Sequence, residues 1–373
     1  MGNSHTSKLI EEAFEKVQEF NYKRYINEIE NISHNIPKTS SSGAKHKVNQ
    51  ILEKFGFHLM YKSVFEELVN STYNKMGKWS SVGTLQLALK NPEKFDEVYN
   101  ILSDEDSKST FDWFMKFRVS YAFVGEAAKF VFPPRISHDE FINKVSGIKL
   151  DHNGFVNLGD YRFLSNPLAV AGSWLFEQYN LKGLCGVSSG DYVVDGGAFK
   201  GETAFWFLSK GAGKVYAFEG DSISFEVLSK NVSFDRVEDK IIPVKALLSD
   251  KDGVYKIKMT GSSSSSILVN GGTEVESITL DSFVIKNNIE HIDFIKLDVE
   301  GAELDVLNGA RETIKKFKPK MAISVYHKPD DIILITSFLH ELLPEAKFYL
   351  KHFSDSFNET ILFVNPRGGG ERL

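Results

Sequence analysis

Residues 191–201, Asp-Tyr-Val-Val-Asp-Gly-Gly-Ala-Phe-Lys-Gly, decide how the rest of the chain is read. Tyr192, Val193 and Val194 form a short apolar run that breaks abruptly into Asp195-Gly196-Gly197. An apolar run bounded by glycine predicts a parallel strand covered on both faces. The following Lys200 to Ser209, rich in Ala, Phe, Trp and Leu, predicts a helix. Strand, glycine-rich turn and helix make the first half of a βαβ ligand site, where the backbone can approach a ligand because Gly196 and Gly197 carry no side chain. Asp195, at the carboxyl end of the strand, is expected in the crevice where doubly wound sheets bind ligands.

Two familiar glycine fingerprints do not fit this turn. For G-x-G-x-x-G, Ala198 and Phe199 stand where the next glycine is needed. For G-x-x-x-x-G-K-[ST], Gly196 and Gly201 fit, but Glu202 puts a carboxylate where triphosphate needs a cation. The remaining pattern, Asp195, Gly197, Ala198 and Gly201, resembles motif I of the class I S-adenosylmethionine (SAM) methyltransferases.

Working outward, βα units repeat downstream. Strands are predicted at Lys214–Phe218, Ile241–Leu247, Ile292–Leu297 and Met321–Val325, and helices at Asp281–Lys286 and Asp331–Leu342. Val254–Met259 reads as part of an edge hairpin, residues 261–266 as a low-complexity loop, and Phe348–Phe353 with Thr360–Val364 as a closing strand pair. The pattern predicts a mostly parallel α/β sheet with helices on both faces and one antiparallel strand.

Upstream, the periodicity is helical at residues 8–35, 48–55, 64–73 and around Phe95–Leu102. Lys38–Lys47 reads as a polar connection, and Ser103-Asp104-Glu105-Asp106 as a capping box. Pro133-Pro134 is taken to end the helical region. A hairpin turning at Gly159-Asp160 and a short helix at Trp174–Tyr179 then lead to the glycine-motif strand. The expected organisation is a helical domain over 1–145 and a ligand-binding α/β domain over 146–373. The helical half shows no catalytic constellation and is expected to shape acceptor access or a subunit contact.

Charge is uneven. Residues 1–150 hold 20 Lys+Arg against 19 Asp+Glu; the rest hold 24 against 31, so the net −6 comes wholly from this second part. That disfavours a duplex nucleic acid partner, which needs a basic face. Cys185 is the only cysteine, so no disulfide forms within the chain, and a reducing, cytoplasmic setting is expected. No apolar stretch approaches the ~18 residues of a membrane span. Met1-Gly2-Asn3-Ser4-His5-Thr6 formally matches a myristoylation pattern but reads as a polar terminus with Ser7 capping a helix. The oligomeric state is not legible.

Glu219 lies 24 residues past Asp195, at the end of the second strand. An acid at about that distance can accept hydrogen bonds from ribose hydroxyls. Asp298 and Glu300 emerge at the carboxyl edge of the fourth strand, where two close carboxylates need partners or carry a raised pKa. They are also the pair that a divalent metal would use, although spacing alone does not establish one. Helix capping is the plainer role for both.

The resemblance then sharpens. DGGAFKGETA (195–204), FEGD (218–221), IDFIKLDVEGAELDVLNGA (292–310), YHKPDD (326–331) and NETILF (358–363) occur in this order. Together they resemble the FkbM family of SAM-dependent methyltransferases, over about residues 150–366, with a weaker likeness in 91–109. The resemblance implies a Rossmann-like class I methyltransferase sheet and methyl transfer from SAM to a hydroxyl of a sugar or natural-product-like acceptor. It carries cofactor contacts onto Asp195, Gly196, Gly197, Ala198, Gly201, Thr203, Glu219, Gly220, Asp221, Ala246 and Asp298. A base near the acceptor is expected among Asp298, Glu300, His327 and His352, with a neutral His327 preferred because an unperturbed imidazole titrates near ~6.5. The rivals are an NAD-dependent oxidoreductase and a non-catalytic binding module on the same fold.

Overall fold

The computed structural model describes residues 4–35, 75–258, 266–267 and 272–367. The readings made above for residues 1–3, 38–47, 48–55, 64–73 and most of the 261–266 loop lie outside these.

The central sheet grows from the opening stretch. Strand β3 (Tyr192–Gly196) pairs in parallel with β4 (Lys214–Phe218) on one side and β10 (Phe294–Leu297) on the other. With β5 (Ile241–Val244), β11 (Lys320–Ser324), β12 (Lys347–His352) and β13 (Thr360–Asn365), the order is β12-β13-β11-β10-β3-β4-β5. Only β13 runs against the rest: it is antiparallel to both β11 and β12. Alternate residues feed opposite faces. Val193, Phe294, Ala322 and Phe363 join one buried cluster with Phe205 and Phe207. Val194, Ile295, Ile323 and Leu362 join the other. Both faces are therefore covered, as an apolar parallel sheet requires.

The predicted third strand differs in one respect. It stops at Val244; the chain bends at Lys245-Ala246, and Leu247–Leu248 (β6) joins a second, four-stranded sheet. That sheet also holds β7 (Gly253–Lys258), β8 (Ser266–Ile267) and β9 (Thr273–Ile278). The exposed Lys245 at the bend separates the apolar residues of the two strands. β1 (Phe155–Leu158) and β2 (Tyr161–Leu164) form the expected hairpin around Gly159-Asp160. In place of a short helix at 174–179 there is a wide turn over Ala171–Leu175.

Helices α1 (His5–Asn35), α2 (Lys75–Lys90), α3 (Pro92–Ile101) and α4 (Glu105–Val124) lie over one face of the sheet, toward the β12 end. Their buried residues, among them Ile10, Phe95, Phe111 and Met115, belong to the same cluster as Ile323, Leu339 and Phe348. The residue capping α4 is Asp104, whose side chain accepts from Ser107 N. Ser103, expected as the cap, is used otherwise: its amide donates to Phe348 O at 2.8 Å and its hydroxyl accepts from Phe348 N at 2.9 Å. This segment covers the edge of β12, a place where an unpaired strand would invite association. The helical pattern also continues past Pro133-Pro134, with a helix at His138–Ser146 capped by Ser137. Among the described residues no helix is long and apolar enough to cross a membrane.

Candidate active site

The register of β3 against β10 places Lys296 beside Asp195. Lys296 Nζ lies 3.1 Å from Asp195 Oδ1 and donates to the carbonyls of Gly196 at 3.0 Å and Gly197 at 2.8 Å. Thr203 Oγ1 donates to Asp195 Oδ2 at 2.5 Å. Burial alone would lower the Lys296 pKa, but the charges of Asp195 and Asp298 outweigh that and raise it, so the ammonium persists. Asp195 is completely buried by these partners. It pins the glycine turn from beneath and presents no carboxylate to a ligand, contrary to expectation.

The glycines are also explained by chain approach. Gly197 has φ +76, and a Cβ there would stand 2.0 Å from the Asp298 carbonyl oxygen. Gly196 is closed in by Leu297, and Gly201, at φ +99, by Leu228 as the chain enters the helix Glu202–Ser209. Gly196 and Gly201 lie behind the turn. Gly197, Ala198, Thr203, Glu219, Gly220, Asp221, Ala246 and Asp298 line one cavity of about 970 Å³ outside the carboxyl ends of the strands. That volume is at the upper end of the range for small-molecule sites.

Glu219 ends β4 with Oε2 accepting from Phe199 N at 2.9 Å and Oε1 from Asp221 N at 2.6 Å. Burial pushes its pKa up to about 7 despite these bonds. Asp221 caps the next helix, Ser222–Phe234, accepting from Ile223 N and Ser224 N. A nearly buried carboxyl beside a side-chain-free turn fits an adenosine ribose, whose vicinal hydroxyls can both donate and accept.

Across the cavity stand Asp298, Glu300, Tyr179 and Glu359. Asp298 Oδ2 accepts from Tyr179 OH at 2.9 Å and Oδ1 from Tyr326 OH at 3.3 Å. Burial would raise its pKa, but His327, Lys296 and the Tyr179 bond bring it below the usual value. Glu300 has the opposite fate: burial, reinforced by Asp298, Glu303 and Glu359, pushes it up to about 8 against the pull of His327. Glu359 accepts from Gln178 Nε2 at 3.0 Å and is pushed up to about 7 by burial and by Asp298.

His327 is 2% exposed and lies beneath this wall. Nδ1 is 3.0 Å from Glu303 Oε1, and Nε2 is 3.5 Å from Asp298 Oδ1 and 3.7 Å from Glu300 Oε2. Burial lowers an imidazole pKa, yet the three carboxylates outweigh it and raise His327 to about 10. It is an imidazolium at neutral pH, not the neutral base expected from sequence. His352 is further from the role. It is buried against Trp113 of α4, ring centroids 4.2 Å apart, bonds Thr360 Oγ1 at 2.9 Å, and is held down to about 3 by burial and then by Arg118.

Asp298, Glu303 and His327 bring ligand atoms within 4.8 Å of one another, so these three could approach one divalent ion. Glu303 replaces Glu300 in that set. The imidazole nitrogens already face carboxylates at ion-pair distance, and a proton on the ring satisfies the same charge.

Sequence reasoning did not single out Lys296, Tyr179, Glu303, Tyr326 or Glu359 as site residues. Four of them stand inside quoted motifs, and a lysine within an otherwise apolar strand was a usable signal. Tyr179 carried none, because only the path of the 171–181 segment brings it to Asp298.

A seven-stranded sheet in this order, with one reversed strand and its cavity beyond the carboxyl ends, is the α/β fold of the methyltransferase class. Residues 195–353 match the family model described as the methyltransferase FkbM domain. That portion, less than half of the chain, is similar to the FkbM methyltransferase family. Among solved structures the chain is similar to methyltransferase FkbM from Methylobacillus flagellatus KT, with a TM-score of 0.54 and 18% identity, covering 86% of this chain and 71% of that one. At this identity the likeness is one of fold. A stretch of 104 residues is 27% identical to hexuronic acid methyltransferase AglP of Haloferax volcanii, covering 27% of this chain and 43% of that protein. The match thus spans less than half the length of that curated relative.

Proposed function

We propose that the protein transfers the methyl group of SAM to a hydroxyl oxygen of a sugar or related small-molecule acceptor. One observation carries this reading: a single cavity joins the glycine turn and Glu219 to a cluster of carboxyl and phenol groups beyond the neighbouring strand. The family of residues 195–353 supports methyl transfer, and the partial likeness to a hexuronic acid methyltransferase supports a sugar acceptor.

When bound, SAM supplies an activated methyl on a sulfonium, so the chain has to bind, align and accept a proton. Gly197, Ala198, Glu219, Gly220 and Asp221 form the cofactor side. Asp298, anionic and held by two phenols, provides negative charge toward a cationic ligand. Glu300 takes the proton of the acceptor hydroxyl: it lines the cavity, and its pKa of about 8 lies near working pH, where a general base is most effective. His327 acts through Glu300 and Asp298 by its charge. With SAM bound, methyl transfer to the acceptor oxygen would release S-adenosylhomocysteine, and Glu300 would hold the proton that the hydroxyl gives up.

Calorimetry with SAM, S-adenosylhomocysteine and NAD, beside a labelled-methyl screen of uronic acids, neutral sugars and phenols, tests the reading. Binding of the two sulfur cofactors with methyl incorporation into a sugar is expected. Binding of NAD alone, or incorporation only into phenols, would replace it.

A further inference from the structure

The helical layer sends one charged group to the underside of this site. Arg118 of α4 is 1% exposed. Its Nη1 donates to Ser80 Oγ of α2 at 2.6 Å, and its Nη2 donates to the carbonyls of Tyr326 at 2.8 Å and Phe357 at 3.2 Å. The guanidinium lies over the rings of Phe114 and Phe357, 5.0 and 5.6 Å from their centroids. Ser80 Oγ itself donates to the Tyr326 carbonyl at 3.3 Å. The same helix seats on the residues that follow: Thr84 Oγ1 donates to Pro329 O at 3.1 Å, and a Cβ at Gly83 would stand 2.4 Å from Pro329 Cγ.

Burying a guanidinium against carbonyls and a hydroxyl is a poor route to stability, because desolvation offsets the bonds gained. What the arrangement does supply is geometry. The two carbonyls belong to separate pieces of chain. Tyr326 and His327 leave the end of β11, where the Tyr326 phenol reaches Asp298. Phe357 lies in the β12–β13 connection, two residues before Glu359. Both connections carry side chains of the acceptor half of the cavity, and one planar fork of donors reaches both.

We propose that Arg118 is a positioning residue for methyl transfer: it fixes the spacing between the Tyr326–His327 strand end and the Glu359 connection. Through Arg118, which does not itself line the cavity, the helical layer thereby sets the acceptor side of the site. This rests on reading the cavity as a methyl-transfer site. The cofactor side, from Gly197 to Asp221, makes none of the Arg118 contacts described above, so the effect is confined to one half of the cavity.

The test compares the full chain with Arg118→Met and Arg118→Lys. The measurements are amide exchange by mass spectrometry, thermal melting, calorimetry with S-adenosylhomocysteine, and steady-state kinetics. Arg118→Met should speed exchange in peptides covering 324–330 and 353–359 but not in 195–221. Cofactor affinity should stay within about twofold, as expected for distant sites. Its kcat should fall about 10²-fold at unchanged KM for SAM, the usual size of effect for a small misplacement of reacting groups. Because the Tyr326 and Phe357 carbonyls lose a donor, some lowering of the melting temperature is expected, and the loss of kcat should exceed what that lowering accounts for. Arg118→Lys, which keeps a cation and a donor, should recover part of the rate and of the exchange protection. Wild-type kcat with unchanged exchange in both peptides overturns the proposal. So does a loss of kcat that only tracks a lowered melting temperature and faster exchange everywhere. If Arg118→Met does not fold, the lysine variant decides by the same two local peptides. If the wild type neither binds the cofactors nor transfers methyl, the reading of the cavity falls, while the exchange comparison still decides whether Arg118 holds the two connections.

Discussion

Glu300 and Glu359 both hold left-handed backbone, at φ +56 and +62, and both face the cavity. Such conformations disfavour non-glycine residues, so the fold is holding two carboxyls in place at a local cost. With Glu300 as the base, kcat should rise with pH through about 8, because only the deprotonated carboxylate accepts the proton. Glu300→Gln should lower single-turnover rate by about 10²–10⁴-fold. It should also flatten that pH profile while leaving SAM affinity unchanged; a full rate in this variant would move the base to Glu359. Gly197 gives a second prediction at this scale. The turn alone suggested that a side chain there would block only the cofactor. In the structure, a Cβ meets the Asp298 carbonyl at 2.0 Å. Gly197→Ala should therefore cost more than the roughly 1–2 kcal/mol of a left-handed non-glycine residue. Chemical denaturation and cofactor calorimetry should show stability and binding lost together.

The pairing of β3 with β10 does the most work among the elements. It sets Lys296 beside Asp195 under the glycine turn, both almost wholly buried, and so ties the cofactor turn to the strand that delivers Asp298 and Glu300. Removing one partner of a buried pair leaves an uncompensated charge, typically at about 3–5 kcal/mol. Lys296→Met is expected to show that loss in urea unfolding. Adding Asp195→Asn should restore part of it, since a neutral amide no longer needs the cation. If the double variant is as unstable as the sum of the two single changes, the pair is not the reason for the lysine.

At the scale of the whole molecule, the site holds protons more tightly than the unfolded chain does. Glu219 and Glu359 are raised to about 7, Glu300 to about 8 and His327 to about 10, from ordinary values of 4.5 for the carboxyls and 6.5 for the imidazole. For a raised pKa the stabilising contribution is complete below the unfolded value and is lost as pH rises through the folded one. Stability from these groups should therefore decline from about pH 5 to about pH 10. Melting temperatures across that range should fall, and Glu300→Gln, neutral throughout, should fall less steeply between pH 5 and 8. An equal slope in the two proteins would show that Glu300 does not hold its proton in the folded state.

What local sequence determined is what short-range physics controls. The apolar run ending at Gly196-Gly197 specified a buried parallel strand and a tight turn, since an uninterrupted run suits a strand covered on both faces and only glycine tolerates the turn. The alternation of strands and helices specified the sheet, and Asp298-Val299-Glu300 specified acids at a strand end. Tertiary structure alone decided what each acid faces. Asp195 and Glu219 stand alike in sequence, each closing a strand, yet one is sealed against Lys296 and the other opens on the cavity. His327 reads as a neutral base until Glu303, Asp298 and Glu300 converge on it and charge it. Tyr179 and Arg118 come from parts of the chain with no motif at all. Protonation and exposure depend on neighbours distant in sequence, through burial and charge summed over space, and no local pattern encodes that sum.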